Sequence, residues 1–286
     1  PRCSPDTGRA WRRGLNNRVG KQDWIEETRD VAMRLLTGQD HDAAEIETLW
    51  ANIGDEYFLR ETPRDIAWHT EALLDRDDPN DPLVLIRESS QSVLAGGSQI
   101  FIYTPDTRNL FSATVNALDT LGLTIMDARI ITSADGFSLD TYIVLDEHGT
   151  PIGEDWPRIE QIRKTLTETL KHPERLSSTV SRRMPRRHKH FDVPTQVLIS
   201  NDIVNDRTAV DIQTLDRPGL LAHIGRIFMR FEILVQNARI ATLGERAEDV
   251  FFITDLDGEP VSDPTLGQEL QQTLKQELDD KNNGNT

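Results

Sequence analysis

Residues 215–225 read LDRPGLLAHIG. An apolar, strand-like run ends at Leu215, and an amphipathic helical pattern begins at Leu220. Asp216, Arg217, Pro218 and Gly219 stand between them. Turn chemistry accounts for such residues. Asp216 can cap the helix by accepting a first-turn N–H, Pro218 loses no helical hydrogen bond there, and Gly219 permits an unusual backbone path. A small ligand accounts for them equally well. Free N–H groups at a helix start attract a carboxylate, and Asp216 can meet an ammonium with charge-assisted hydrogen bonds. Asn237, on the next strand, can both donate and accept, as a side-chain amide requires.

The stretch belongs to an internal repeat. An offset of 110 residues places Ile102, Thr104, Asp106 and Leu110 on Ile212, Thr214, Asp216 and Leu220. It also places Ala128, Arg129, Ile130 and Thr132 on Ala238, Arg239, Ile240 and Thr242. The helical stripe Leu110, Phe111, Thr114, Ala117, Leu118, Leu121 falls on Leu220, Leu221, Ile224, Ile227, Phe228, Phe231. One residue then drops out, so that Asp140 and Gly149 meet Asp249 and Gly258. Each copy reads β-α-β-β-α, with a turn at Asp135-Gly136 joining two strands of the first. One more strand would complete the ferredoxin-like βαββαβ plan, an α+β fold whose helices cover one face of an antiparallel sheet. The run FDVPTQVLIS (191–200) supplies one extra strand, and its copy stays open.

Four zones follow. Residues 1–92 form a helical segment, 98–173 the first repeat, 174–206 a basic linker plus the extra strand, and 207–286 the second repeat. In the helical segment, Ile25, Val31, Ala32 and Leu35 lie near one stripe, and Ile46, Leu49, Trp50 and Ile53 near another. Thr62 is an N-cap candidate, with Pro63 at the first helical position. DPLVLIRESS reads as a short strand.

A net charge of −16 disfavours nucleic acid and anionic lipid as partners, and no apolar run is long enough to span a membrane. Cys3 is the single cysteine, which fits a reducing cytoplasm. The chain opens PRCSPDTG, without Met, so a piece of a longer protein is expected. Arg182, Arg183, Arg186, Arg187 and Lys189 make the linker basic; the reading is a solvated connector, with docking on an acidic protein surface as the alternative.

The repeat unit resembles the ACT domain, a family of amino-acid-sensing modules. DRPGLL, HIGRIF and VQNARIAT carry the resemblance in the second copy. With RRGLNN and YFLRETPRDIAWH ahead of the pair, the chain is similar to the C-terminal part of the bacterial bifunctional uridylyltransferase/uridylyl-removing enzymes, which modify the PII nitrogen-signalling protein. The resemblance implies a glutamine-sensing regulatory region. PII is then a partner through the parent enzyme, ACT–ACT pairing occurs within or between chains, and Mg or Mn is needed only by catalytic domains this chain lacks. The implied ligand residues are Asp216, Arg217, Pro218, Gly219, Leu220 and Asn237 in the second copy. In the first they are Asp106, Asn109 and Asp127, where DTRNLF departs from the motif and leaves Asn109 at the glycine position. Alternatives are an ACT regulator of another amino-acid-pathway or stringent-response enzyme, an active enzyme, and a pairing module without ligand.

No catalytic or metal set is legible. Gly97-Ser98 precedes a strand rather than a helix, so it lacks the context for holding a triphosphate. Asp255 and Asp257 read as a turn, and Asp42 with Glu45 reads as a helix start rather than part of a metal site. His69 reads as a packed or surface histidine.

Overall fold

The structure is a computed structural model that describes residues 18–39, 41–76, 78, 81–89, 96–174, 194–202, 207–243 and 245–282. Cys3, RRGLNN, the basic linker residues 182–189 and His190 lie outside the described residues. The chain divides into two compact units: residues 1–79 with 133–135, and residues 80–132 with 136–286.

The first unit holds helices α1 (Arg18–Thr37), α2 (Ala43–Trp50), α3 (Asp55–Arg60) and α4 (Pro63–Leu74). Thr62 caps α4 in a reciprocal box with Asp65, and Pro63 sits at its first position, where no intrahelical N–H is needed. Asp42 caps α2 by accepting from the Ala44 N–H at 3.0 Å, so the His41-Asp42 pair punctuates a helix. The buried stripe of α1 is Ile25, Thr28, Ala32 and Leu36. Leu35 is instead 41% exposed, because at 3.6 residues per turn it lies about 80° round the helix from Ile25, whereas Leu36 lies about 20° away and takes the buried place. Trp50, Tyr57, Phe58 and Ile66 fill the core. His69 is wholly buried, with its Nδ1 2.7 Å from the Tyr57 hydroxyl, which makes it a packing residue.

The second unit is one antiparallel sheet with helices. Its strands are β1 (Leu83–Glu88), β2 (Ser98–Pro105), β3 (Thr124–Ile131), β4 (Phe137–Leu145), β5 (Gln196–Asp202), β6 (Arg207–Leu215), β7 (Leu234–Leu243) and β8 (Arg246–Thr254). The helices are α5 (Leu110–Thr120), α6 (Trp156–Lys171), α7 (Leu220–Arg230) and α8 (Pro264–Asn282). The spatial order is β1-β2-β4-β3-β7-β8-β6-β5. Each repeat thus contributes four neighbouring strands, and β3 and β7 join the halves.

One expectation is corrected here, and one open assignment is decided. The extra strand does not follow the last helix of a repeat: each half runs ββαββα, and the added strand comes first. β1 lies where DPLVLIRESS reads as a short strand, near the end of the 1–92 segment, and it pairs with β2, from Leu83↔Tyr103 to Glu88↔Ser98. The strand at 191–200, observed as β5, pairs with β6 and belongs to the second half. An edge strand needs only one antiparallel neighbour, so it can be supplied from either end of the chain.

Alternate residues of the strands, such as Ile100, Ile102, Ala128 and Ile130 with Val210, Ile212, Ala238 and Ile240, form one apolar core with the four helices. The pairs at the joint are complementary in size. Ala128 opposes Ile240 and Ile130 opposes Ala238, which are the same pair related by the repeat. The halves differ on the other face. β2 and β4 are buried at nearly every position, whereas β6 and β8 alternate.

Candidate functional site

The helix starts set the local geometry. Gly219 is the N-cap of α7, with φ at 75° and no side-chain cap bond. Asp216 therefore does not hold the capping position that its sequence suggests; its own N–H donates to the Glu245 carbonyl at 2.9 Å. Asn109 is the N-cap of α5, also left-handed, with φ at 70°. Asn tolerates that region better than most residues, which explains how the first copy dispenses with glycine.

A concave site forms where the second repeat's loop meets the first repeat's helix. Asp216, Arg217, Pro218, Gly219 and Leu220 line one side, and Asp119 with Val115 of α5 the other. Leu123, Thr124, Ile125 and Asp249 complete much of the wall. The approach is close: a Cβ on Gly219 would lie 3.3 Å from an Asp119 carboxylate oxygen. α5 and α7 also cross tightly, since a Cβ on Gly225 would lie 3.1 Å from the Ser112 Cα.

The repeat generates a second hollow in the mirrored place. Asp106, Asn109 and Phe111 of the first repeat face Phe228, Met229 and Val235 of the second. Met229 stands where the first site has Asp119, so this hollow lacks that acid. Asn237 and Asp127 line neither hollow. Asn237 is buried in β7 opposite Ile131, and Asp127 pairs with Arg129 at 3.2 Å.

Burial tunes the acids. Asp249 is pushed up to about 8 by burial, with the nearby Asp216 charge adding and the Ala241 N–H opposing. Its counterpart Asp140 is raised to about 7 by burial, against the Ser138 hydroxyl that holds it down, with Asp106 adding. Burial also raises Asp106. Arg217 is lowered to about 10 by burial and by Arg226, against Asp216. Arg217 reaches His223 Nδ1 at 3.3 Å, His223 Nε2 reaches Glu277 at 3.0 Å, and Glu277 accepts from Arg230 at 2.5 Å, tying the loop to α7 and α8.

Asp119 and Asp249 were not among the sequence candidates. Asp249 left a signal, since it matches Asp140 in the repeat. Asp119 left none, because it comes from the other copy. The residues mimicking catalysis have structural roles. The Ser98 hydroxyl accepts from the Ile152 N–H at 2.9 Å, and Asp255 closes a turn by accepting from the Asp257 and Glu259 N–H groups. Among the described residues no cluster of three or more His, Cys, Asp or Glu could hold a metal. Among them, no helix is long and apolar enough to cross a membrane.

The family match and the curated relatives agree with one another. Residues 20–72 match the family described as uridylyltransferase GlnD fifth domain. The chain is 50% identical over 273 residues to the bifunctional uridylyltransferase/uridylyl-removing enzyme of Pseudomonas putida F1, covering 96% of this chain and 30% of that protein. It is 49% identical over 277 residues to the protein of the same name from Stutzerimonas stutzeri A1501, covering 97% and 31%. The chain thus spans less than a third of the length of these relatives. A crystal structure of aspartate kinase from Synechocystis aligns with 65% of this chain and 28% of that one, at 16% identity and a TM-score of 0.37, too loose a likeness to define the fold.

Proposed function

We propose that the chain is the C-terminal ACT-domain region of a bacterial bifunctional uridylyltransferase/uridylyl-removing enzyme and that it senses free glutamine for that longer protein. Each four-stranded half is then an ACT domain in which the strand ahead of the repeat takes the fourth place of the ferredoxin-like sheet. The two domains pair within one chain through β3 and β7.

The observation that carries the reading is the hollow between Gly219 and Asp119. It joins the start of α7, suited to a carboxylate, to an acidic wall of Asp119, Asp216 and Asp249, suited to an ammonium. A zwitterion satisfies both ends at once. Because the wall comes from both repeats, the ligand favours one relation between them, and that differential affinity is what couples a ligand to distant activities. Uridylylation of PII and its reversal belong, in this reading, to catalytic domains elsewhere in the longer protein, with Mg or Mn acting there.

Titration calorimetry of the chain with glutamine, glutamate, asparagine and serine tests the reading. Glutamine is expected to bind most tightly. Glutamate carries a second carboxylate into an acidic site, so equal affinity for glutamate overturns the assignment, as does an absence of glutamine binding. The β3–β7 ladder favours one other reading, a pairing module without ligand, which predicts silence towards the whole panel.

A further inference from the structure

The two repeats bury the same acid in different surroundings. Asp140 opposes Ile102 in the β2–β4 ladder, and Asp249 opposes Ile212 in the β6–β8 ladder, so the positions are structurally equivalent. In the first repeat the carboxylate accepts from the Ser138 hydroxyl at 2.5 Å and from the Tyr142 hydroxyl at 3.4 Å. In the second repeat those two positions are Ala247 and Phe251, which have no hydroxyl to offer. The Phe251 ring instead packs edge-on against Phe111 and Phe228, at 5.8 and 5.1 Å.

Asp249 is consequently left with one oxygen unserved. Its Oδ1 accepts from the Ala241 N–H at 3.4 Å, and its Oδ2 is buried without a hydrogen-bond partner. The side chain is only 1% exposed, and it lines the hollow between the repeats, whereas Asp140 lines neither hollow. A buried carboxylate oxygen without a donor is costly, and such an exception calls for a partner. Among the groups around it, Asp216 and Asp119 are acidic and Arg217 is the basic residue of the same wall. An anion would meet repulsion beside Asp249, and a cationic N–H donor would meet three carboxylates.

We propose that Asp249 and Asp216 together hold the α-ammonium of one free amino acid per chain in the second repeat's site, and that the first repeat, whose own hydroxyls satisfy Asp140, holds none. The inference rests on the amino-acid-sensing reading and adds the residue that receives the ammonium. It also gives the repeats different work: one binds, and the other supplies Asp119 and a closed, self-satisfied counterpart. Burial keeps Asp249 largely protonated at neutral pH. A cation bound at Oδ2 favours the carboxylate, so binding expels the carboxyl proton to the buffer while the ligand keeps its own.

The test is calorimetry of the full chain with glutamine near pH 7 in buffers of different ionisation enthalpy. The expected result is one glutamine per chain, with net proton release. Asp249→Asn should weaken binding at least about tenfold and abolish that release, since hydrogen bonds between charged groups are the strong ones. Ala247→Ser restores the hydroxyl found in the first repeat. It should raise thermal stability and weaken glutamine binding together, an effect that a purely structural role for Asp249 does not give. Two glutamines per chain, or unchanged affinity and proton release in Asp249→Asn and unchanged affinity in Ala247→Ser, overturns the proposal while leaving glutamine sensing intact. Binding of another amino acid in place of glutamine, with the same dependence on Asp249, overturns glutamine sensing and supports the proposal. No binding of any amino acid overturns both.

Discussion

Arg129 of β3 faces Arg239 of β7 across the ladder that joins the two halves, and the two are the same position of the repeat. A local two-fold relation therefore passes through this pair, and every neighbour follows from it. Asp127 opposes Ala241 just as Asn237 opposes Ile131. The same relation lays each repeat's loop against the other repeat's helix, so the candidate site exists only because the halves pair.

That joint can be tested by exchanging the two sizes that meet in it. Ala238 is wholly buried opposite Ile130. Ala238→Ile should cost about 1–3 kcal/mol by overpacking, and Ile130→Ala about 2–5 kcal/mol by opening a cavity. The double variant should recover at least about 1 kcal/mol of their sum, because volume is conserved across the pair. Urea denaturation of the four proteins measures the coupling, and strict additivity would show that the two side chains do not share a packing space.

The left-handed N-caps predict a hierarchy between the loops. Gly219→Val forces a branched residue into a positive φ and presses on the Asp119 carboxylate. Asn109→Val meets the same backbone strain, of about 1–2 kcal/mol, but faces Met229 rather than an acid. Both variants should lose stability, and glutamine affinity should fall much further for Gly219→Val. Equal losses of affinity, with circular dichroism unchanged, would mean that the two loops share the ligand equally.

Asp216→Asn isolates charge from shape. Hydrogen bonds to charged groups contribute about 1.5–3 kcal/mol, so glutamine should bind roughly ten- to a hundredfold more weakly. No helix cap is lost, because Gly219 occupies that position. The melting temperature should therefore hold or rise slightly, since a charge that disfavours ionised Asp249 is removed. A collapse of stability with unchanged affinity would assign Asp216 to the fold alone.

Asp249 also sets a pH dependence. Its folded value is about 8, against an ordinary 3.8, so the folded chain holds a proton that the unfolded chain releases. Stability from this group is complete below about pH 4 and falls as pH rises, at up to about 1.4 kcal/mol per pH unit, until the folded carboxyl ionises near pH 8. Asp249→Asn should flatten that decline and be the more stable protein at pH 8. Chemical denaturation from pH 5 to 9 follows it, and parallel curves for the two proteins would mean that Asp249 is ionised throughout.

The sequence by itself determined everything that local spacing encodes. The 110-residue offset, the helical stripes of α5 and α7, the Thr62–Pro63 start of α4 and the left-handed tolerance of Asn109 and Gly219 all follow from side-chain period and backbone sterics. Tertiary structure alone decided which strands are neighbours. The ladder between β3 and β7 joins residues more than a hundred positions apart, so no local pattern could assign β1 and β5 to their edges or bring Asp119 beside Gly219. It also put Asn237 and Asp127 in the β3–β7 ladder, outside the lining of either hollow. Asp249 shows the boundary most sharply. Its repeat partner Asp140 is visible in the sequence, but that its Oδ2 ends buried, beside other acids and without a donor depends on where Ala247 and Phe251 stand around it in space.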